Sequence, residues 1–141
     1  MPSVALLRGD FGVCGGAIIS KRVIATAAHC TLSEVYNLRV ELFNESRDDK
    51  KPLYSTASYE LRKVVHPDYE TFSKTPGWKL SEADIAVIGL PFDITLIPGL
   101  VETVSLASSD PTVGSWLLQC GYGRTQYQGN DSRLIHFFVF S

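Results

Sequence analysis

The sequence contains no apolar run approaching the roughly 20 residues of a membrane-spanning helix, so no membrane partner is expected. It has no excess of basic residues either. Thirteen Lys and Arg stand against fifteen Asp and Glu, a net charge of −2. That balance removes the electrostatic basis for a nucleic-acid partner. No segment sustains a 3.6-residue apolar period, which argues against a helical bundle. No His-x-x-x-His or Cys-x-x-Cys spacing occurs, so no metal site and no cofactor are expected. The first eight residues carry no basic stretch ahead of an apolar one, and their apolar run is only Val4 to Leu7. No secretory signal peptide is therefore read in this chain, which implies either an intracellular protein or an N-terminus lying further upstream.

Cysteine is scarce, and its count of three is odd. Cys14 and Cys30 both sit beside strand-like segments, so a bridge between them is one arrangement. Closing a loop of that size would stabilise by about 3 kcal/mol in the chain-entropy model. Cys120 is then left unpaired, which implies a partner elsewhere or a buried free thiol. Asn44-Glu45-Ser46 and Asn130-Asp131-Ser132 are glycosylation sequons, a pointer to life outside the cytosol.

What the sequence does hold is a globular composition, 45% hydrophobic and 20% charged, in 141 residues. Short strand-like runs dominate, at 4–7, 17–19, 23–26, 38–42, 61–65, 85–90, 116–119 and 134–140. Turn formers punctuate them: Arg8-Gly9-Asp10, Pro67-Asp68, Pro76-Gly77, Pro98-Gly99 and Gly129-Asn130-Asp131. Many short strands with turns between them predict an all-β barrel or sandwich. Barrels of that kind often run to roughly 200–250 residues, so 141 is short. Residues 44–51 form a charged run of both signs and read as a solvated loop. Residues 70–82 read as a surface loop just before Asp84, and residues 98–115 as a linker.

Two motifs carry chemistry. Thr26-Ala27-Ala28-His29-Cys30 presents a histidine, and Ala83-Asp84-Ile85-Ala86-Val87 presents a carboxylate 55 positions later. A histidine takes a proton from a hydroxyl nucleophile only when its tautomer is fixed, and a buried carboxylate fixes it. Asp84 precedes an apolar run, which suits a carboxylate held at the edge of a core. His66 and His136 lack convergent ligands and read as surface or strand-end residues. Cys30 beside His29 suggests a thiol nucleophile, but sequence neighbours rarely point at one another, so that reading is set aside.

Further blocks extend the pattern. Cys14-Gly15-Gly16-Ala17-Ile18-Ile19 precedes the His29 motif. His66-Pro67-Asp68-Tyr69 precedes Asp84, and Val113-Gly114 and Cys120-Gly121-Tyr122-Gly123-Arg124-Thr125 follow it. In this order the blocks closely resemble the first part of trypsin-like (chymotrypsin-family, peptidase S1) serine proteases. Tyr122 departs mildly, since tryptophan is more usual there. The resemblance implies an all-β, trypsin-like antiparallel β-barrel: a first barrel over 1–97, a linker over 98–115 and the start of a second barrel over 116–141. It implies His29 as general base and then general acid, Asp84 as the carboxylate that orients it, and a Cys14–Cys30 bridge pinning the turn. It implies location outside the cell, and a polypeptide substrate or protein inhibitor as partner once the fold is complete.

The family's nucleophile lies in a Gly-Asp-Ser-Gly-Gly segment. None of the fourteen serines here has glycine on both sides. Gly129-Asn130-Asp131-Ser132-Arg133 is the nearest echo, but it lacks the following glycines and falls too early. An oxyanion hole and a specificity pocket are missing with the nucleophile, and an Ile-Val-Gly-Gly-like start is absent before Val4. The resemblance therefore implies a serine endopeptidase present as a partial chain, inactive alone. The alternatives are a non-catalytic, protease-like binding or regulatory module, and a non-functional product whose apolar end, His136-Phe137-Phe138-Val139-Phe140, would aggregate.

Overall fold

A computed structural model of the chain describes residues 3–9, 12–31, 38–42, 52–56, 60–69 and 83–121, and the backbone alone of 136–140. The charged run 44–51, the loop 70–82, both sequons and residues 122–125 of the last family block lie outside the described residues.

Apolar residues alternating along short segments give strands with one face turned to a common core. Among the described residues nine strands form: β1 (Val4–Gly9), β2 (Gly12–Ser20), β3 (Val23–Thr26), β4 (Arg39–Leu42), β5 (Tyr54–Ser55), β6 (Arg62–Val65), β7 (Ala86–Gly89), β8 (Leu117–Gly121) and β9 (His136–Phe140). Among the described residues there is no α-helix, only a 3₁₀ turn at Ala28–Thr31. Seven strands make one antiparallel sheet in the order β5-β4-β1-β2-β3-β7-β6, and β8 and β9 pair as a separate two-stranded sheet.

Leu7, Ile18, Ile24, Val40, Leu42 and Ile88 point into one core and are almost completely buried. Each such side chain contributes roughly 1.5–3 kcal/mol over an exposed one. β1 is buried on both faces: Ala5 and Leu7 join that core, while Leu6 packs with Val4 and Val13 on the other. Residues after β7 stay attached to the sheet. The Leu90, Ile94 and Val104 amides donate to the carbonyls of Arg22, Lys21 and Ile18. Val101, within the stretch read as a linker, is 2% exposed and belongs to the core.

Two differences from the sequence reading have physical causes. β2 begins at Gly12, well before residue 17, because its glycines pair with β1, Gly15 opposite Leu6 and Gly16 opposite Ala5. Glycine has low strand propensity, so tertiary pairing decides this stretch. β5 has only two residues and is held by β4, too short to carry a period. Gly16 is there because strands crowd it: a Cβ would lie 2.6 Å from Ile24 Cγ2 and 3.1 Å from the Ala25 carbonyl oxygen. Gly16→Ala should therefore destabilise by about 1–3 kcal/mol, read as a lower urea midpoint. An unchanged midpoint would show that β2 and β3 separate freely.

The register of β3 against β7 prepares the site. Val23 pairs with Gly89, and the ladder ends with Thr26 opposite Ala86. Each step onward along β3 moves one residue back along β7. The chain just beyond Thr26 therefore meets the chain just before Ala86, which brings the His29 turn to Asp84.

Candidate active site

The His29 turn is fixed from several sides. At the end of β3 the Thr26 hydroxyl donates to the Gly15 carbonyl at 2.9 Å. The Cys30 amide donates to the Ala27 carbonyl at 3.1 Å, and the Thr31 hydroxyl to the Ala28 carbonyl at 2.8 Å. Ala28 is fully buried, so only a small residue fits beneath the turn. Lys63 Nζ, on β6, reaches the Thr31 carbonyl at 3.3 Å, and burial lowers its pKa. Cys14 and Cys30 form a disulfide with their Cα atoms 6.2 Å apart, as the resemblance implied. Cys120, on β8, is free.

Asp84 is presented by a strained backbone. Ala83 has φ +61°, a left-handed conformation that costs an L-residue roughly 1–2 kcal/mol. The Ile85 amide donates to the Ala83 carbonyl at 2.7 Å, closing a tight turn around Asp84. The His66 amide holds the far side through the Ile85 carbonyl at 3.0 Å. Strain at such a position persists only because the surrounding ladder enforces it.

The carboxylate grips His29 twice. Asp84 Oδ2 lies 2.6 Å from His29 Nδ1, and Oδ1 accepts the His29 backbone N–H at 2.9 Å. A carboxylate accepts only, so the ring proton belongs on Nδ1 and Nε2 keeps its lone pair. Burial pushes the Asp84 carboxyl up. The His29 amide and ring hydrogen bonds, the His29 charge and the Ala28 amide outweigh it, and the net pKa is lowered from 3.8.

That direction sets a pH dependence. A carboxylate with a depressed native pKa stabilises the fold above its unfolded pKa and loses that contribution as pH falls through the native value. The stability gap between wild type and Asp84→Asn should be full near neutrality and close as pH drops below 3.8. Urea midpoints for both proteins from neutral to strongly acidic pH test this, and a gap independent of pH would contradict it.

The sequence reading needs two corrections. Asp84 was expected to be buried, yet its side chain is 34% exposed and that of His29 is 54% exposed. Asp84 sits in the turn outside the ladder, where the sheet covers only one side. Nor do Cys30 and His29 point apart, since Cys30 Sγ lies 3.4 Å from His29 Nε2. The 3₁₀ turn winds tightly enough to bring neighbours together. Cys30 is nevertheless no nucleophile, because its sulfur is bonded to Cys14. No ligand spacing marks a metal cluster in the sequence. Even so, Cys14 Sγ, Cys30 Sγ and a His29 ring nitrogen all lie within 4.8 Å of one another.

His66 stays apart from the pair and is exposed at the end of β6, where its Nδ1 accepts the Asp68 amide at 3.1 Å. The side chain of His136 lies outside the described residues. Tyr69 is a neighbour that sequence reasoning assigned no role: burial and the Asp84 charge raise its pKa. Its place in the His66–Tyr69 turn was the available signal.

Comparisons with known proteins bear on the family and the fold. The family model described as Trypsin matches residues 2–137. Brachyurin of Leptuca pugilator is 34% identical over 119 residues, covering 84% of this chain and 48% of brachyurin. Mouse neuropsin, a serine protease, superposes with a TM-score of 0.78 at 25% identity, over 98% of this chain and 58% of its own. A scabies mite inactivated protease paralogue superposes with a TM-score of 0.80 over 99% of this chain and 57% of its own. At 20% identity that likeness concerns the fold alone. The chain thus spans about half the length of these relatives. Its fold is the first antiparallel β-barrel of a trypsin-like protease with the opening hairpin of the second. Because the match runs from residue 2 to residue 137, this chain belongs to the trypsin family of serine proteases.

Proposed function

We propose that this chain supplies the base-and-carboxylate half of a serine endopeptidase, and that by itself it does not cleave peptides. His29 Nε2 takes the proton of a serine hydroxyl as it attacks a peptide carbonyl and later delivers it to the leaving amine. Asp84 keeps the imidazole in the productive tautomer and stabilises the imidazolium that forms. The double contact of Asp84 with His29, ring and backbone together, carries this reading.

The nucleophile comes from outside residues 1–141. Among the described residues no serine hydroxyl is hydrogen-bonded to His29, and none of the fourteen serines carries the family's glycine context. Leu106, Val113, Trp116, Leu117 and Leu118 lie in or beside the segment leading into the β8–β9 sheet and are about half exposed or more. They support a second barrel built onto this hairpin, with residues 1–97, 98–115 and 116–141 as first barrel, linker and second-barrel start. Covering Asp84 there would remove water from the pair and strengthen it. The Cys14–Cys30 disulfide favours an oxidising compartment outside the cell. A polypeptide substrate, or a protein inhibitor occupying its place, is the partner this chemistry takes. The missing serine context equally suits a second reading, a protease-like module that binds without catalysis.

A serine-directed fluorophosphonate probe separates these cases. The 141-residue chain should not be labelled. A chain continued through its downstream reading frame, with a Gly-Asp-Ser-Gly-Gly segment, should be labelled and should hydrolyse peptide substrates. Heat-sensitive labelling of the 141-residue chain would overturn the proposal, and an inert continued chain would favour the binding module.

A further inference from the structure

We propose that reduction of the Cys14–Cys30 bridge opens a site for a thiophilic divalent ion of the zinc class, held by Cys14 Sγ, Cys30 Sγ and His29 Nε2. The three residues already place their ligand atoms within 4.8 Å of one another. A tetrahedral ion with Zn–S near 2.3 Å and Zn–N near 2.0 Å sets its ligands about 3.5–3.8 Å apart. Cys30 Sγ and His29 Nε2 stand at 3.4 Å before any rearrangement. The remaining adjustments are separation of the two sulfurs and placement of Cys14 Sγ at ligand distance from His29 Nε2, which the broken bond permits by side-chain rotation.

The histidine is prepared as a ligand. Asp84 Oδ2 holds the Nδ1 proton at 2.6 Å and leaves the Nε2 lone pair directed away from the carboxylate. A carboxylate bonded to the far nitrogen of a ligating histidine fixes its ring and raises its basicity. The Asp84 contact to the His29 amide holds that arrangement independently of the bridge. His29 is 54% exposed, so water has access to a fourth coordination position. In the oxidised protein both sulfurs are consumed by their mutual bond and offer no thiolate. The site is thus gated by redox state. When filled, it occupies the same Nε2 lone pair that a general base uses.

The redox step is balanced. A water-soluble phosphine attacks one sulfur and expels the other as thiolate, and water hydrolyses the adduct. Phosphine oxide and two thiols result, two electrons having passed to the sulfurs. The ion then displaces the thiol protons to buffer.

Cobalt(II) is the probe, because tetrahedral thiolate coordination gives it intense visible bands. The 141-residue chain is reduced with phosphine under argon and titrated with cobalt. Bands saturating at one equivalent, bleached by zinc and absent from the oxidised protein, are expected. Cys120→Ser should leave them unchanged, Cys14→Ser should abolish them, and His29→Ala should remove or strongly weaken them. Asp84→Asn should weaken binding about 10–100-fold through the outer contact. That variant also covers the case in which reduction unfolds the chain, since an unfolded chain would bind cobalt equally with or without Asp84. No bands on reduction, bands that require Cys120, or equal affinity of Asp84→Asn and wild type would each overturn the proposal.

Discussion

Asp84→Asn should lower turnover by about 10⁴-fold in a chain that also carries the family's second half, a loss far beyond what its lower stability at neutral pH accounts for. Asparagine can still accept the His29 backbone N–H through its oxygen, which now sits at 2.9 Å as Oδ1. The atom facing His29 Nδ1, presently Oδ2 at 2.6 Å, then becomes an amide nitrogen. A donor facing Nδ1 forces the ring proton onto Nε2, and the lone pair needed to accept a serine proton is lost. The 34% exposure of the Asp84 side chain limits the stability lost by the change, whereas the tautomer switches outright. Ring ¹⁵N shifts of His29 in the 141-residue chain report the switch without any second half. Unchanged shifts in the variant would mean that Asp84 does not set the tautomer.

Cys14→Ala with Cys30→Ala should cost about 3 kcal/mol, since the bridge spans 16 residues of sequence. For a chain of this size that corresponds to a fall in Tm of roughly 10 °C. The bridge joins β2 to the His29 turn, and the Thr26–Gly15 hydrogen bond joins the same two segments. Losing the covalent link therefore leaves the ladder paired and loosens the turn. Thermal unfolding of the double variant measures the cost. A Tm within 2–3 °C of wild type would mean less than about 1 kcal/mol from the bridge.

Much of the fold was legible because it is local. β3 occupies 23–26, as its apolar residues and flanking turn formers imply, and β4, β6 and β7 differ from their apolar runs by a residue or so at their ends. β2 was read from residue 17, because Gly12, Gly15 and Gly16 carry no strand signal of their own. Their pairing with β1 comes from a strand elsewhere in the chain. β5 was invisible for the same reason: β4 makes it a strand.

The site divides along the same line. Residue identities and their order were enough to name His29, Asp84, Cys14 and Cys30 and to leave Cys120 over. Those are properties of the chain as a string, and the chemistry of each side chain travels with it. The meeting of Asp84 with both the ring and the amide of His29 depends on β3 and β7 pairing with Thr26 opposite Ala86. The left-handed Ala83 and the approach of Cys30 Sγ to His29 Nε2 likewise belong to the folded chain. Sequence by itself determined which groups are present and which family they serve. Tertiary structure decided their distances, because strand register is set by packing between segments far apart in the chain.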